Sequence, residues 1–490
     1  MKPVGNCNFD VAVIGGGSGG YAAARTAAAQ GLKTVVVEGG DEVGGLCILR
    51  GCMPTKALLY AAEVLHRTGH PEPWGIRTTG VSFDFAKVMA RKNALIKEFA
   101  DYRAQQLTGG KFSFIRAMAR FADAHTVSLT PHTPSSGESA PRPGNSSVPA
   151  NAGNITAKYF IIATGSSVAP PALPQLAEVG YLDSDAALKL ARLPESLIVL
   201  GGGPIAVEFT QYFARFGVKV TLIQRSPHLL RAMDADAATA IEAVLRREGV
   251  TVYTETKLLD ARRTAGQKEV IFEHDGQRRR MLAEEILLAL GRIPNVASLG
   301  LDRIGVELDH GRIVTDPHLR TAVPHIYAAG DCTGPHEIVH IAVRQGETAA
   351  YNIAHPDRMK RMDDRLLTEV VFTDPQIATV GLTEQGARAR GISYRSASHP
   401  FSDHGKSLIM EARDGFVKLL ADPVSGEIIG GCCVGPAGGE LIHEIVAAMS
   451  KRMTVHELAA MPHYHPTLAE IWTYPAEELA GEIPASNAAW

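Results

Sequence analysis

Two cysteines, Cys47 and Cys52, stand close together in the stretch GGLCILRGCMPTKALL, residues 44–59. Close cysteine pairs in cytoplasmic proteins are usually redox or metal sites, and no further soft ligands lie nearby in the sequence. Pro54 suits the first turn of a helix, so Cys52 would lie near a helix N-terminus, where the dipole favours a thiolate. Lys56 adds positive charge on the same helical face. We therefore predict a redox-active dithiol and no metal site.

A second group of reactive residue types occurs in the stretch HYHPTLAE, residues 463–470. Exchange between a dithiol and a disulfide needs a base that takes a proton from the attacking thiol and returns it to the leaving one. Histidine does this near neutral pH, and a carboxylate behind it fixes the tautomer. The stretch therefore contains the residue types that such a dithiol requires.

A glycine-rich turn near the N-terminus predicts a site for a dinucleotide. Gly15, Gly17 and Gly20 form a G-x-G-x-x-G pattern directly after an apolar strand. The glycines permit a tight turn, and the following helix directs its first N–H groups at a pyrophosphate. Glu38 ends the next predicted strand, where it can accept a hydrogen bond from a ribose hydroxyl. Together these features favour dinucleotide binding over a structural glycine turn.

The pattern occurs a second time, with Gly201, Gly203 and Ala206. The strand after it ends in Gln-Arg instead of an acid. A carboxylate there would bind an unphosphorylated ribose and repel a 2′-phosphate, whereas an arginine does the opposite. Arg225, joined by Arg231, therefore favours NADPH over NADH. The alternative is that Arg225 is a solvated loop charge.

Both patterns lie within βαβ units, at residues 9–38 and 195–225. Each unit shows a buried strand, a glycine-rich turn, a helix and a second apolar strand, which is typical of doubly wound dinucleotide-binding folds. Two dinucleotide sites in one chain indicate electron transfer between cofactors. Nicotinamides donate hydride and flavins accept it, so we expect FAD together with NADPH or NADH.

The remaining sequence contains a loop and a further domain. Residues 132–154 are rich in Ser, Pro, Gly and Asn, which predicts a flexible surface insertion. After about residue 365, apolar strands are followed by helices. The predicted fold class is α/β, with two doubly wound Rossmann-like domains and a C-terminal α+β domain.

The composition limits the partners that we expect. The chain has 490 residues and a formal net charge of -3, and no long run of one charge sign, which weighs against nucleic acid as a partner. No apolar stretch is long enough to span a membrane, and the N-terminus passes into a strand without a signal pattern. We therefore expect a cytoplasmic protein without membrane insertion.

The order of these motifs resembles one family. The stretch GGLCILRGCMPTK after an N-terminal dinucleotide fingerprint is similar to the pyridine nucleotide–disulfide oxidoreductases. The segment IIATG at 161–165 resembles the crossover out of the family's FAD domain, and GRIPN at 291–295 resembles the end of its nicotinamide domain. IYAAGD at 326–331 resembles the strand whose aspartate holds the FAD ribityl chain. The likeness covers almost the whole chain.

The resemblance implies a role for each motif residue. Cys47 would be the outer thiol that exchanges with substrate, and Cys52 the inner thiol that contacts the flavin. Lys56 matches the lysine beside the flavin N5, and Glu208 matches its acidic partner. The residues predicted to bind cofactors are Gly15, Gly17, Gly20, Glu38, Gly45, Lys56, Thr164, Gly165 and Asp331 for FAD, and Gly201, Gly203, Ala206, Arg225 and Gly291 for NAD(P)H.

The C-terminal motif implies a second copy of the chain. His465 and Glu470 match the family's H-P-T-x-x-E, with the histidine as base and the glutamate orienting it. In the family this pair comes from the other subunit, which implies a homodimer with shared active sites. The implied domains are an FAD-binding domain at 1–165 and 295–360, an NAD(P)-binding domain at 166–294, and a dimerisation domain at 361–490.

Four features bear on the substrate. His465 and Glu470 resemble dihydrolipoamide dehydrogenase and glutathione reductase, and the terminal PASNAAW lacks the cysteine pair by which mercuric reductases hand over Hg(II). Arg225 and Pro204 depart from the usual lipoamide enzyme, which has glutamate and a large gating residue there. The leading expectation is a dihydrolipoamide dehydrogenase-like flavoprotein that acts on a lipoyl group or another small disulfide. The alternatives are a mercuric-reductase-like metal-ion reductase and an electron-transfer flavoprotein module of a larger complex.

Overall fold

The computed structural model describes residues 7–131, 153–334 and 336–484. The predicted insertion at 132–154 lies outside the described residues except for its last two, and Asn154 already begins a strand. The chain divides into two compact units. The first runs up to Thr55 and includes Ala90–Ala169 and Arg292–Met362, and the second comprises Lys56–Met89, Pro170–Gly291 and the chain from Asp363 onwards.

The strands coincide with the apolar runs of the sequence, because branched apolar side chains pack well on a pleated surface. In chain order the described strands are β1 (Phe9–Ile14), β2 (Thr34–Glu38), β3 (Ser113–Asp123), β4 (Thr126–Pro131), β5 (Asn154–Ile162), β6 (Ser166–Val168), β7 (Ser196–Leu200), β8 (Lys219–Ile223), β9 (Thr251–Tyr253), β10 (Lys257–Thr264), β11 (Gln267–His274), β12 (Gln277–Ala283), β13 (Glu285–Leu288), β14 (Arg292–Pro294), β15 (Leu308–Asp309), β16 (Arg312–Ile313), β17 (Ile326–Ala328), β18 (Thr368–Val371), β19 (Gln376–Gly381), β20 (Arg395–Pro400), β21 (Phe416–Ala421) and β22 (Ile428–Gly435).

The longer helices follow the alanine-rich and amphipathic segments, which favour helix formation. In chain order the described α-helices are α1 (Ser18–Ala29), α2 (Leu46–Leu49), α3 (Cys52–Gly69), α4 (Phe85–Thr108), α5 (Pro174–Val179), α6 (Ser184–Ala187), α7 (Pro204–Arg215), α8 (Ala235–Arg247), α9 (Val339–Ala354), α10 (Glu384–Ala389), α11 (Gly405–Ile409), α12 (Gly438–Ser450), α13 (Val455–Ala460) and α14 (Thr473–Glu482). A short 3₁₀ helix at Ala469–Trp472 precedes α14.

The first unit is built on a parallel sheet in the order β3-β2-β1-β5-β17. Strand β4 joins β3 and β5 through antiparallel pairing. The central strand β1 is buried along almost its whole length, as expected for a parallel strand that is covered on both faces. Helices α1 and α9 cross so closely that a Cβ at Gly346 would lie 2.2 Å from the Gly19 carbonyl oxygen.

The second unit contains a parallel sheet in the order β13-β7-β8-β9. One face of this sheet packs against α7 and α8. The opposite face forms a core with side chains of the antiparallel sheet β10-β11-β12. Apolar residues that alternate along β7 serve both cores: Leu197 and Val199 face the helices, and Ile198 and Leu200 face the antiparallel sheet. A βαβ unit of this kind places the turn after β7 at the carboxyl edge of the sheet.

The C-terminal part of the second unit is an antiparallel sheet in the order β18-β19-β22-β21-β20. Helices α12, α13 and α14 contribute to the apolar core formed with this sheet, in which Trp472 is fully buried. The predicted α/β fold class, with two doubly wound sheets and a C-terminal α+β part, is confirmed. The predicted domain boundaries stay predictions. No helix among the described residues is both long and apolar enough to cross a membrane.

Candidate active site

The first glycine-rich turn connects β1 to α1 and has no room for side chains. Gly15 has φ +106°, and a Cβ there would lie 2.3 Å from the Ala163 carbonyl oxygen. A Cβ at Gly20 would lie 1.9 Å from the Gly15 carbonyl oxygen. Gly17 is the N-cap of α1, and no described side chain caps this helix. The first N–H groups of α1 therefore suit the phosphates of a dinucleotide.

The acid at the end of β2 lies against this turn. Glu38 accepts hydrogen bonds from the Gly16 N–H at 2.7 Å and from the Gly40 N–H at 2.6 Å. Arg116 donates to the Gly40 carbonyl oxygen at 2.5 Å, and its Nη1 is buried without a partner among the described residues. Burial lowers the pKa of Arg116, and Glu38 and Asp41 oppose this effect. Arg116 carries no sequence signal, since only the pairing of β2 with β3 brings it here.

The segment after β5 contributes the other predicted FAD residues. Asn295 donates to the Thr164 carbonyl oxygen at 3.0 Å, and Gly165 has φ +69°. Asp331 accepts a hydrogen bond from the Ser166 hydroxyl at 2.6 Å. The hydroxyl of Thr164 is buried beside the Cys332 thiol. An uncapped helix N-terminus and a turn without space for side chains together fit FAD.

The two cysteines come shortly after Glu38 in the sequence. Cys47 lies on α2, and Cys52 is the first residue of α3, as the position of Pro54 predicts. Both cysteines are half-buried. Gly45, with φ +80°, precedes α2, and a Cβ at this position would come within 2.6 Å of the Gly17 Cα. The chain that carries the cysteines therefore packs against the glycine-rich turn of the first unit.

Arg103, on α4, is a charged group near Cys47 that sequence reasoning did not find. Its guanidinium lies over the Tyr21 ring at 4.4 Å and donates from Nε to Gln106 at 3.0 Å. Burial lowers the pKa of Arg103, and charges on Tyr21 and Cys47 act in the opposite direction. Arg103 thus places a cation in the surroundings of Cys47.

The second glycine-rich turn repeats the first at the end of β7. Gly201 has φ +119°, and a Cβ there would lie 2.3 Å from the Ala289 carbonyl oxygen. Gly203 is the N-cap of α7, and Ala206 is fully buried in the first turns of that helix. Gly291, with φ +124°, is exposed and follows β13. The space around Gly203 is open, which fits a second dinucleotide.

Arg225 lies just beyond β8, next to Gln224. Its backbone N–H donates to Gln224 Oε1 at 3.0 Å, and its side chain is exposed. The Gln224 side chain packs against Gly202, where a Cβ would lie within 2.9 Å of it. Across the part of the chain that the structure describes, no carboxylate forms an ion pair with Arg225. Arg231 is also exposed.

Lys56 and Glu208 form an ion pair in the second unit. Lys56 Nζ lies 3.0 Å from Glu208 Oε1 and 2.8 Å from Oε2. Glu208 is almost fully buried, and its Oε1 also accepts from the Phe372 N–H at 2.9 Å. The ammonium group lies 4.7 Å from the centre of the Phe372 ring. The structure thus brings together two residues 152 positions apart, and their role at a flavin stays a prediction.

His465 and Glu470 also meet. His465 Nδ1 lies 3.0 Å and 3.2 Å from the two carboxylate oxygens of Glu470. The side chain of His465 is 77% exposed, whereas that of Glu470 is 10% exposed. Donation from Nδ1 to the carboxylate leaves Nε2 as the proton acceptor, directed away from the buried acid. His463 instead pairs with Glu444, at 2.6 Å from Nε2, which is consistent with a structural role.

Three of the described thiols are fully buried and unsuited to reaction. Burial raises the pKa of Cys332 to about 11 and that of Cys432 to about 12, and it raises the pKa of Cys433 well above its ordinary value. Groups of His, Cys, Asp and Glu that could hold a metal ion do not occur among the described residues. Among the described cysteines, Cys7, Cys47 and Cys52 are the half-buried ones, and Cys47 and Cys52 are the two that lie close together in the sequence.

The chain belongs to the pyridine nucleotide-disulphide oxidoreductase family. The family's sequence model matches residues 9–346, and the model of its dimerisation domain matches residues 367–476. The chain is thus an oxidoreductase of a flavoprotein class that uses FAD and NAD(P)H, as the site geometry indicates. The match to the dimerisation domain supports the predicted homodimer.

Several named relatives extend over nearly the full length. A dihydrolipoyl dehydrogenase of Geobacillus stearothermophilus is 36% identical over 472 residues, which are 96% of each chain. A dihydrolipoyl dehydrogenase of Thermus scotoductus is 35% identical and covers 96% of this chain and 97% of its own. A mercuric reductase of Bacillus cereus is 33% identical over 96% of this chain and 71% of its own.

Solved structures show the same relationship. LpdA from Mycobacterium tuberculosis superposes with a TM-score of 0.83 at 29% identity, over 96% of this chain and 99% of that chain. The HOCl-induced flavoprotein disulfide reductase RclA from Escherichia coli superposes with a TM-score of 0.81 at 25% identity, with the same coverage. The predicted class of enzyme, an FAD-dependent disulfide oxidoreductase similar to dihydrolipoyl dehydrogenases, is confirmed.

Proposed function

We propose that this chain oxidises the dithiol of a dihydrolipoyl group, or runs the reverse reaction, through a Cys47–Cys52 disulfide. The observation that carries the proposal is the His465–Glu470 pair, with an exposed imidazole oriented by a buried carboxylate. An enzyme that only relays electrons needs no base for thiol exchange. Full-length similarity to dihydrolipoyl dehydrogenases supports the choice of substrate.

The exchange step moves two electrons and two protons from the substrate to the protein. A substrate thiol gives its proton to His465 Nε2, and its sulfur attacks Cys47 Sγ, which breaks the Cys47–Cys52 bond and releases Cys52 as a thiolate. The second substrate sulfur then attacks the sulfur bound to Cys47 and displaces Cys47, so the substrate leaves as a disulfide and the protein holds the reduced cysteine pair. His465 gives the first proton to Cys47 as it leaves and takes the proton of the second substrate thiol, so the product is a Cys47 thiol, a Cys52 thiolate and a protonated His465, while Glu470 keeps the Nδ1–H oriented.

The residues for the cofactors follow from the two glycine-rich turns. In the proposal, Gly15 to Gly20, Glu38, Thr164 and Asp331 hold FAD, which would accept the electron pair from Cys52 and pass it to the nicotinamide as hydride. Gly201 to Ala206 hold the phosphates of NAD(P)H at the start of α7. The Lys56–Glu208 pair supplies a positive charge whose position is set by a buried carboxylate. Such a charge favours an electron-rich flavin ring.

Two further assignments are proposals of the same kind. The second copy of the chain would contribute its own His465 and Glu470 to the site, which explains why this imidazole is exposed in a single chain. We also infer a cytoplasmic location, in keeping with a reactive cysteine pair.

Metal-ion reduction is the second candidate function, since a mercuric reductase is 33% identical over most of this chain. A steady-state comparison of dihydrolipoamide, lipoamide, glutathione disulfide and Hg(II) with either nicotinamide separates the candidates. We expect turnover with the lipoyl compounds to exceed turnover with the other two by about tenfold or more, which corresponds to about 1.4 kcal/mol. Hg(II)-stimulated NADPH oxidation without lipoamide turnover would favour the metal-ion reductase, and no turnover with any of them would favour the electron-transfer module.

Arg225 is proposed to select NADPH through the 2′-phosphate. Replacing it by glutamine removes a cation that no described carboxylate neutralises, so kcat/KM for NADPH should fall about tenfold while that for NADH changes less than about threefold. The measurement is kcat/KM for both nicotinamides in the same reduction assay.

The matched control is Arg278→Gln, which removes an exposed arginine on β12, outside the βαβ unit. It should leave the NADPH to NADH ratio unchanged. A ratio that is equally unchanged in Arg225→Gln would identify Arg225 as a solvated loop charge and remove the argument for NADPH.

A further inference from the structure

His404 is a buried histidine that faces the same carboxylate as His465. It directly precedes α11, and its side chain is fully buried. Its Nε2 lies 3.3 Å from Glu470 Oε1, and its Nδ1 lies 2.7 Å from the Ser407 hydroxyl. Glu470 is therefore located between an exposed imidazole and a buried one. No motif in the sequence points to His404.

The surroundings select one tautomer of His404. A neutral imidazole has one N–H donor and one acceptor nitrogen. If Nε2 carried the lone pair, it would face a carboxylate with like polarity at 3.3 Å. The favourable arrangement is Nε2–H directed at Glu470 and Nδ1 accepting from the Ser407 hydroxyl. The distance is long for a hydrogen bond, and the backbone of Thr467 is a second hydrogen-bonding group beside this imidazole.

The charge state of His404 follows from its burial. Burial lowers the pKa of His404 below its ordinary value, and Glu470 partly opposes this effect. The other titratable or charged groups around His404 come from four places. Tyr474 lies on α14, and His465 lies on the loop just before the 3₁₀ helix that carries Glu470. His399 lies on β20, and Asp403 and Lys406 are neighbours of His404 in the sequence. The imidazole is therefore neutral near neutral pH, so that Nδ1 can accept from the Ser407 hydroxyl while Nε2–H is directed at Glu470.

We propose that His404 is a positioning residue for thiol exchange, whose Nε2–H holds the Glu470 carboxylate in the orientation that receives His465 Nδ1–H. This inference rests on the proposed function, in which His465 is the exchange base. The local packing supports it, because a Cβ at Gly405 would already lie 4.0 Å from His465 Cε1. The start of α11 thus lies close to both the carboxylate and the imidazole that uses it.

The test compares two replacements of His404 in the FAD-loaded enzyme. His404→Leu fills similar space but has no donor, whereas His404→Gln places an amide N–H close to the position of the imidazole Nε2. We expect His404→Leu to lower kcat for dihydrolipoamide oxidation about tenfold. This effect is smaller than the contribution of about 10²–10⁴-fold that a general base itself makes, because the base remains in place. His404→Gln should recover most of this loss.

The pH profile of kcat distinguishes positioning from a general packing role. Without the donor, the charge of Glu470 acts on His465 alone, so the imidazole keeps its proton to a higher pH and the acid limb of the profile moves upward in His404→Leu. The limb should return towards its original position in His404→Gln. Reduction of a quinone by NAD(P)H, which bypasses thiol exchange, should be unchanged in both variants.

His399→Leu is the matched control, because His399 stacks on Tyr474 at 4.0 Å and bonds the Asp403 carbonyl oxygen but not Glu470. It should have wild-type rates and profile. An unmoved acid limb in His404→Leu, or equal losses in the Leu and Gln variants, would overturn the role of His404. Unchanged dithiol oxidation in both Glu470→Gln and His465→Gln would contradict the proposed function itself, and not only the role of His404.

Discussion

Replacement of Cys52 by alanine is expected to lower dihydrolipoamide oxidation at least about 10³-fold, because it removes one of the two sulfurs that store the electron pair. The same variant should retain NAD(P)H-dependent reduction of a quinone within about threefold, since that reaction needs the cofactors and not the dithiol. Cys52 is the first residue of α3, where the helix dipole favours its thiolate. The measurement is kcat for both reactions with the same FAD-loaded preparation.

A spectroscopic readout accompanies this prediction. Two-electron reduction of the wild-type protein without oxygen should produce the long-wavelength absorption of a thiolate next to a flavin, and Cys52→Ala should abolish it. Cys7→Ala is the matched control, because Cys7 is also half-buried and lies outside the proposed site. Persistence of the absorption band in Cys52→Ala, or wild-type dithiol oxidation, would exclude Cys52 as the inner thiol.

Replacement of His465 by glutamine is expected to lower dithiol oxidation by about 10²–10⁴-fold, the usual contribution of a general base. Glutamine can still accept or donate a hydrogen bond, but it cannot take the substrate proton near neutral pH. The pH dependence of the remaining activity should lose its acid limb, because the imidazole that acts as the base is absent from the variant. Glu470→Gln should lower the rate less, since the imidazole remains but its Nδ1–H loses the charge that orients it.

Two controls distinguish this role from structural damage. His463→Gln changes a histidine that bonds Glu444 and should leave the pH profile unmoved. Co-expression of His465→Gln with Cys47→Ser chains should restore about a quarter of wild-type activity if each site combines residues of two subunits, because half of the random dimers carry one intact site. No recovery in verified heterodimers would contradict shared active sites, and wild-type activity of His465→Gln alone would exclude it as the base.

The local features of this protein could be predicted from the sequence. Gly15 and Gly201 have positive φ angles, and a helix starts at Cys52. Each of these features depends on residues within a few positions of it in the sequence. Glycine permits these backbone angles and proline favours a helix start, so the spacing of both residue types is informative. The α/β class followed from the same periodic patterns, and the structure confirms it.

Contacts between distant segments were predictable only where the family resemblance supplied them. Lys56 and Glu208 are 152 positions apart, and neither residue type indicates the other by itself. Arg103 beside Cys47 and Arg116 beside Glu38 lie on α4 and β3, outside every motif. Ordinary positions on an amphipathic helix or strand carry charged residues for solubility, so these two arginines could not be recognised.

The sequence alone determined the two dinucleotide-binding turns, the cysteine pair and the His465–Glu470 motif, since each depends on short-range backbone geometry and residue chemistry. The tertiary structure alone decided what surrounds them. His404 faces Glu470 because Phe401, just before it, and Ile471, next to Glu470, belong to the same apolar core, and this packing buries the second imidazole and leaves the first exposed. Burial and long-range contact depend on the whole packed fold, and no local pattern encodes them.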